Sequence, residues 1–367
     1  MTPKQQEALD AVVKYGSQVK AAKALGISRS ALRHRLALAK SYQEADEGIK
    51  YAMSETGFSD MNSVHSGWIK TDDVSLYFKN SIDNQDTVNI AESIQELING
   101  VVLCPIIKAP GFSEDNLLTL YPIADAHIGM NADAGETGEE YNSDIAVERI
   151  RRGMAKCVAN SPPSKYALVL DVGDLTHADD NNAQTPRSKH PLDVSERFFH
   201  SLRCAITALA AAIDCALQKH EQIICRVLRG NHNETSYLAV MFAIAERYKN
   251  NIRVTVEQTA ADFFVHEFGS IMIAAHHGDK AKADRLVLHM ADAWPEIWGR
   301  TKHRFYFTGH LHHTMMREIG GVIVEQLRAV TGKDSYAASH AYSSRSQMQG
   351  ITYHKEEGEV SRIKVCL

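Results

Sequence analysis

From about residue 116 to residue 327 the chain repeats one pattern: a short apolar run, a polar cluster rich in Asp, Asn and His directly after it, and often a long stretch of helical periodicity. The runs Leu117–Ala124, Tyr166–Val172, Gln222–Leu228, Ile271–Ala275, Arg304–Thr308 and Gly321–Leu327 predict β-strands. The segments Ser143–Ala159, Val194–Lys219, Ser236–Tyr248 and Lys282–Ala293 predict helices. Strands alternating with helices imply a layered α/β domain whose sheet faces are covered by helices. No internal repeat is visible.

The remaining composition narrows the class. A chain of 367 residues, 44% hydrophobic and 23% charged, excludes wholesale disorder, collagen-like repeats and a coiled-coil rod. It is long enough for one large domain plus appendages. Six cysteines at 104, 157, 204, 215, 225 and 366 include no C-x-x-C pair, so neither a zinc knuckle nor a disulfide framework is expected. A reducing cytoplasm is the simplest setting. Residues 1–16 lack the apolar core of a signal peptide, and polar residues interrupt each apolar run before membrane-spanning length, so a soluble, unexported protein is expected.

Charge is distributed unevenly. Residues 1–40 hold eight Lys and Arg against two carboxylates, a net +6 inside a total of −5, which leaves the remainder at −11. In this basic stretch Val13, Val19, Ala22, Leu25, Ile27, Leu32 and Leu36 recur at helical spacing. Gly26 breaks the pattern and Ser28 is placed to cap a new helix. The segment QVKAAKALGISRSALRHRL resembles the helix-turn-helix of DNA-binding proteins. That resemblance implies a DNA-binding module over 1–41, with Arg29, Ser30 and Arg33 toward a groove and Lys20 and Lys23 toward phosphates. Self-association into a homo-oligomer is compatible with it. A small helical hairpin with a solvated basic face is the alternative.

Residues 42–115 carry no functional signal. The alternation of 64–79 predicts a β-hairpin turning at Thr71-Asp72-Asp73, 87–100 predicts a helix ended by Gly100, and Ala109-Pro110-Gly111 reads as a linker.

The chemistry lies just beyond the strands, in Asp125-Ala126-His127, Gly173-Asp174, Gly230-Asn231-His232, His276-His277-Gly278-Asp279 and Gly309-His310-Leu311-His312. In α/β folds the loops after strand carboxyl ends gather residues distant in sequence. Imidazole nitrogens with carboxylate and amide oxygens form a mixed N/O set suited to Mn²⁺, Fe or Zn²⁺. The inventory exceeds what one ion uses, so two divalent ions are expected, with Asp174 able to bridge them. A site of that kind, about 3.5–4 Å across, performs in-line hydrolysis at phosphorus.

Taken in order, D-x-H, G-D, G-N-H, H-G and G-H-x-H over residues 125–312 resemble the calcineurin-like metallophosphoesterase superfamily. The wider sequence, with GDLTHAD, HHGD, TGHLHH and the N-terminal helices, is similar to metallophosphoesterases of phages and prophages. The resemblance implies a two-sheet β-sandwich flanked by helices over 116–367, in a bacterial host cytoplasm. It implies one ion on Asp125, His127, Asp174 and His312 and a second on Asp174, Asn231, His277 and His310. Mn²⁺ is the first choice, with Fe, Zn, Mg or Ni as others. His232 is the implied proton donor to the departing oxygen, and a hydroxide held by the two ions is the implied nucleophile. One departure stands out: the family places an acid directly after G-N-H, where this chain has Asn233, with Glu234 one position later.

Neighbouring residues have plainer readings. Strand alternation lets only one of His276 and His277 face the ions, and the family pattern selects His277. His177 and His313 are expected to sit beside the site or at the surface. Asp279 orients a ligand histidine or caps the next helix. Arg187 and His190, on the polar loop 177–190, are candidates to meet a substrate phosphate. Arg149, Arg151 and Arg152 read as a solvated helix face, and Trp294 and Trp298 as packing residues. The expected activity is hydrolysis of nucleic-acid phosphodiester bonds, a DNA nuclease. A phosphomonoesterase and a non-catalytic DNA-binding protein with a retained metal site are the alternatives.

Overall fold

A computed structural model describes residues 3–37, 39–40, 66–70, 75–79, 103–333, 335–340 and 343–367. They fall into two units, one within Met1–Val88 and one within Asn89–Leu367.

In the smaller unit, helices Pro3–Tyr15 and Gln18–Ala24 are followed by a helix over 29–37. Gly26 turns the chain at φ +66°, a conformation that glycine adopts without steric cost. Ser28 caps the next helix as expected, its Oγ accepting from the Ala31 amide at 3.1 Å. The first helix was not foreseen, because its buried apolar residues are only Ala8 and Ala11, packed with Ala21, Ala22 and Leu32, with Val12 partly buried beside them. Val13 and Val19, counted above in the apolar pattern, are instead 85% and 55% exposed. The stripe that packs is made of alanines, which carry little periodic signal. The hairpin pairs as expected, Ser66–Lys70 (β1) antiparallel to Ser75–Lys79 (β2). Its turn and the helix expected over 87–100 lie outside the described residues.

The larger unit is built on two sheets. Glu114–Ile123 (β3), Ser164–Asp171 (β4), Gln222–Val227 (β5) and Val254–Val256 (β6) are parallel, and Gln347–His354 (β12) and Gly358–Cys366 (β13) complete one side antiparallel, in the order β13-β12-β3-β4-β5-β6. The second sheet runs β10-β11-β9-β8-β7, from Met315–Ile319 (β10), Val322–Gln326 (β11), His303–Thr308 (β9), Ile271–Ala275 (β8) and Phe264–Phe268 (β7). Its three central strands are parallel. The expected α/β sandwich is therefore present.

Burial on both faces explains why the central strands read as unbroken apolar runs. Leu118, Leu120, Leu168 and Leu170 from one sheet meet Ile271, Ile273, Phe305 and Phe307 from the other in the layer between them. The alternate residues Tyr121, Ile123, Ala167 and Val169 face helices Ser143–Asn160, Phe198–Leu217 and Tyr237–Tyr248. Ser143–Asn160 begins where Asn142 Oδ1 accepts from the Ile145 amide at 3.0 Å, and buries Ala146, Ile150, Met154 and Cys157 along one stripe. Met272, Ala274 and Tyr306 face Leu286, Val287 and Met290 of helix Ala283–Ala293, with Trp294 and Trp298 packed alongside. Phe198–Leu217 is long and apolar enough to cross a membrane by composition, yet Leu202, Ala205, Leu209, Ala212 and Ile213 belong to the core over the larger sheet.

Two expectations need correction. Arg149 is not part of a solvated face: it is buried, paired with Glu139 Oε2 at 2.6 Å and lying over the Tyr141 ring. Arg151 and Arg152 are exposed. Residues ahead of β3 also belong to the larger unit, since Arg253 donates to the Ile107 carbonyl at 2.7 Å and the Cys104 amide to that of Arg247 at 3.1 Å.

Candidate metal centre

Each polar cluster emerges beyond the carboxyl end of a parallel strand: Asp125 and His127 after β3, Asp174 after β4, Asn231 and His232 after β5, His277 after β8, His310 and His312 after β9. The loops carrying them are forced very close. A Cβ on Gly230 would collide with the Asp174 side chain, and one on Gly309 would lie 2.6 Å from Asp125 Oδ2. Glycine in G-N-H and G-H-x-H is therefore a requirement of packing one ligand loop on another.

The backbone itself is strained there. Seven non-glycine residues among those described have positive φ, and five are Asp125 (49°), His127 (44°), Asp174 (55°), His310 (72°) and His312 (58°). Left-handed conformations are uncommon for such residues, and clustering of this kind marks functional sites. The other two, Ala183 and Lys189, lie in the loop that follows His177.

The side chains converge in two groups, Asp125 with His127 and His312, and Asp174 with His277 and His310, each with its ligand atoms within 4.8 Å of one another. Asp174 faces both: its Oδ2 lies 3.0 Å from His277 Nε2 and 3.9 Å from His127 Nε2. His127 and His312 bring their Nε2 atoms to 3.1 Å, and Asp125 Oδ1 lies 3.7 Å from His312 Nε2. Asn231 Oδ1 is 3.1 Å from His277 Nε2.

These donors fit divalent cations. His277 Nδ1 sits 2.9 Å from the Val172 carbonyl and must donate to it. Its Nε2 then faces Asp174 Oδ2 and Asn231 Oδ1, so three acceptor atoms meet and need positive charge between them. A proton answers this demand, and so does a metal ion. Burial alone would lower the His277 pKa, but the Asp174 carboxylate holds it up at about 10. Burial, with His232 nearby, keeps His127 neutral well below the ordinary range, and burial lowers His310 as well. Neutral imidazole is the ligating form.

His276 turns away as alternation requires. Its Nδ1 accepts from the Gly278 amide at 2.9 Å and its ring stacks on Phe263. Asp279 neither caps a helix nor orients a histidine: its Oδ2 takes Arg229 at 2.8 Å. Arg229 also binds Asp262 at 3.1 Å and Glu234 at 3.2 Å, which ties the G-N-H loop to the loop after His277. Arg229 escaped the sequence reading because nothing marks one arginine at a strand end as the partner of the nearby Glu234 and of two distant acids, Asp262 and Asp279.

Asn233 is fully buried. Its Oδ1 accepts from the Gly230 amide at 2.6 Å and the Asp174 amide at 3.2 Å, bonds that an amide oxygen makes as well as a carboxylate. Glu234 pairs with Arg229 and Arg187 and so does not take the place of the missing acid at His232. The orientation of His232 comes from elsewhere. Its Nδ1 donates to the His177 carbonyl at 2.8 Å, and its amide donates to Asp174 Oδ1 at 2.8 Å.

A cavity of about 490 Å³ opens beside His232, lined by His177, His190, Leu192, Asp193 and Ser335 among others. His190 thus stands near the site. Arg187 is not in the lining; it pairs with Glu234 at 3.2 Å and is 60% exposed in its side chain. His313 is exposed, with Nδ1 2.8 Å from the Leu311 carbonyl. In the smaller unit Lys20, Lys23, Arg29, Ser30 and Arg33 are all exposed.

No family model and no curated protein matches the chain. Solved structures with a similar arrangement include an archaeal phosphodiesterase, at 11% identity and TM-score 0.36 over 68% of this chain and 99% of that one. Vps29 from Entamoeba histolytica complexed with zinc matches at 13% identity and TM-score 0.27, over 68% and 98%. PhoD matches at 8% and 0.30, over 70% and 73%.

Proposed function

We propose that the chain is a metal-dependent phosphodiesterase that hydrolyses nucleic-acid phosphodiester bonds. The observation that carries this is the pair of His/carboxylate groups with Asp174 facing both. Asp125, His127, Asp174 and His312 would hold one divalent ion, and Asp174, Asn231, His277 and His310 the other, Mn²⁺ by preference. Two bound ions supply positive charge to phosphoryl oxygens and acidify water. The chain's own residues do the rest. His232, with its Nδ1 proton committed to the His177 carbonyl, would in its imidazolium form donate the second proton, on Nε2, to the departing oxygen and be left as the neutral ring. The Asp174 carboxylate fixes the position of that loop through the His232 amide. The cavity beside His232 falls within the size range of small-molecule sites and receives the departing portion of the substrate.

A nucleic-acid substrate is supported by the basic first 40 residues and by the exposure of Lys20, Lys23, Arg29, Ser30 and Arg33, which we read as a DNA-binding helix-turn-helix. The six unpaired thiols are compatible with a cytoplasmic setting. A second reading, a hydrolase of nucleotide-sized phosphomonoesters, is favoured by the cavity beside His232.

Hydrolysis of bis(p-nitrophenyl) phosphate, p-nitrophenyl phosphate and single- and double-stranded DNA, each with Mn²⁺, Mg²⁺ or Zn²⁺, separates the two. The proposal expects diester and DNA cleavage to exceed monoester hydrolysis. Strong monoester preference without DNA cleavage would reject it.

A further inference from the structure

We infer that His177 is a positioning residue that sets the tautomer of a metal-binding histidine and the ring orientation of the proton-donating histidine. This rests on the proposed reading of His127 as a metal ligand and His232 as the proton donor. His177 is 3% exposed, and its place is fixed by its backbone. Its amide donates to the Ile128 carbonyl at 2.9 Å, and Thr176 forms a β-bridge with Ile128. From there the ring reaches His127, Nδ1 to Nδ1 at 3.1 Å. The carbonyl reaches His232 Nδ1 at 2.8 Å, and the His177 and His232 rings stack at 5.2 Å and 23°.

A neutral imidazole carries one proton, which decides the arrangement. His127 turns Nε2 toward His312 and Asp174, so binding a cation there needs the lone pair on Nε2 and the proton on Nδ1. The acceptor facing that proton is His177 Nδ1, and His177 then carries its own proton on Nε2. Ligating histidines ordinarily donate their second nitrogen to a carboxylate, a carbonyl or water; here a second imidazole does the accepting. The His232 ring is oriented by the same residue through the main chain, its Nδ1–H on the His177 carbonyl, so that its imidazolium form presents the Nε2–H to the substrate.

The test uses the full chain, titrated calorimetrically with Mn²⁺, and the variants His177→Ala and His177→Asn, the second of which keeps a side-chain acceptor. The unaltered chain is expected to take up two ions. His177→Ala should weaken one of the two by about 10–100-fold, and His177→Asn should recover part of that loss. In Zn²⁺-loaded protein, ¹⁵N imidazole spectra should show His127 protonated on Nδ1 in the unaltered chain and no longer uniformly so in His177→Ala. If the unaltered chain takes up no Mn²⁺, the proposed function and this inference both fall. If it takes up two and folded His177→Ala binds them equally tightly with the His127 tautomer unchanged, only this inference falls. Equal weakening in Ala and Asn variants with a matching fall in melting temperature would make His177 a packing residue and also overturn it.

Discussion

His312 shows how the residues of this site are placed against their own backbone preferences. It sits at φ +58°, where a Cβ costs about 1–2 kcal/mol, and its side chain is a third exposed, so little packing offsets that cost. His312→Gly should therefore be more stable than His312→Ala by about 1 kcal/mol, measured by urea denaturation without metal, while both lose metal affinity. Equal stabilities would argue against stored strain at this position. Gly230 tests the opposite constraint. Any Cβ there strikes Asp174, so Gly230→Ala should bind Mn²⁺ far more weakly by calorimetry while retaining its far-UV circular dichroism. Unchanged affinity would mean that the loops have room to spare. At this scale the candidate ligands were legible in the sequence, because five polar clusters follow five apolar runs. The positive φ values were not, since nothing in the residue types Asp and His announces them. His177 was legible only as a neighbour of the G-D motif, because its contacts depend on the close approach of the loop that carries His127.

At the scale of the element, the central parallel strands and the long helices follow from the apolar runs and stripes, and their ends fall within a few residues of expectation. The strands missed were β6, β7, β10, β12 and β13. Met315 and Met316 of β10 are exposed at the edge of their sheet, and β13 is also an edge strand with few buried residues, so neither presents a continuous apolar run. A titratable group in the core gives these elements a pH dependence. His220, at the end of helix Phe198–Leu217, is buried with Nε2 2.8 Å from Tyr121 Oη and Nδ1 2.7 Å from the Ser164 carbonyl. Burial lowers its pKa from 6.5 to about 4, with the Ser164 carbonyl opposing and Lys219 assisting. The unfolded chain therefore takes up a proton between pH 6.5 and 4 that the folded chain refuses. The stability contributed by neutral His220 is complete above pH 6.5, falls as pH drops through this window, and changes no further below about pH 4. The loss is on the order of 3 kcal/mol. His220→Gln should lose correspondingly less stability between pH 7.5 and 4.5 in urea denaturation; an identical decline would place the effect elsewhere.

For the whole molecule, the net charge of −5 conceals a basic N-terminal stretch and an acidic remainder. If the exposed cations on the first helices meet phosphates, the logarithm of DNA affinity should fall linearly with log salt concentration, and Arg29→Glu with Arg33→Glu should flatten that slope by about two. A fluorescence anisotropy titration at several salt concentrations measures it, and an unchanged slope would remove DNA from these residues. Part of the acidity of the remainder lies in its site, where Asp125 and Asp174 are buried beside histidines. Of the 18 histidines, 14 fall between residues 127 and 313, and His127, His177, His232, His277, His310 and His312 converge on one centre. The central claim is that this centre hydrolyses phosphodiesters by means of bound divalent ions. The most direct measurement is Mn²⁺-dependent turnover of bis(p-nitrophenyl) phosphate by the unaltered chain and by folded Asp174→Ala. Turnover that requires Mn²⁺ and falls by several orders of magnitude in Asp174→Ala is the predicted result. No turnover with any of Mn²⁺, Mg²⁺ or Zn²⁺, or turnover that survives the loss of Asp174, would contradict it.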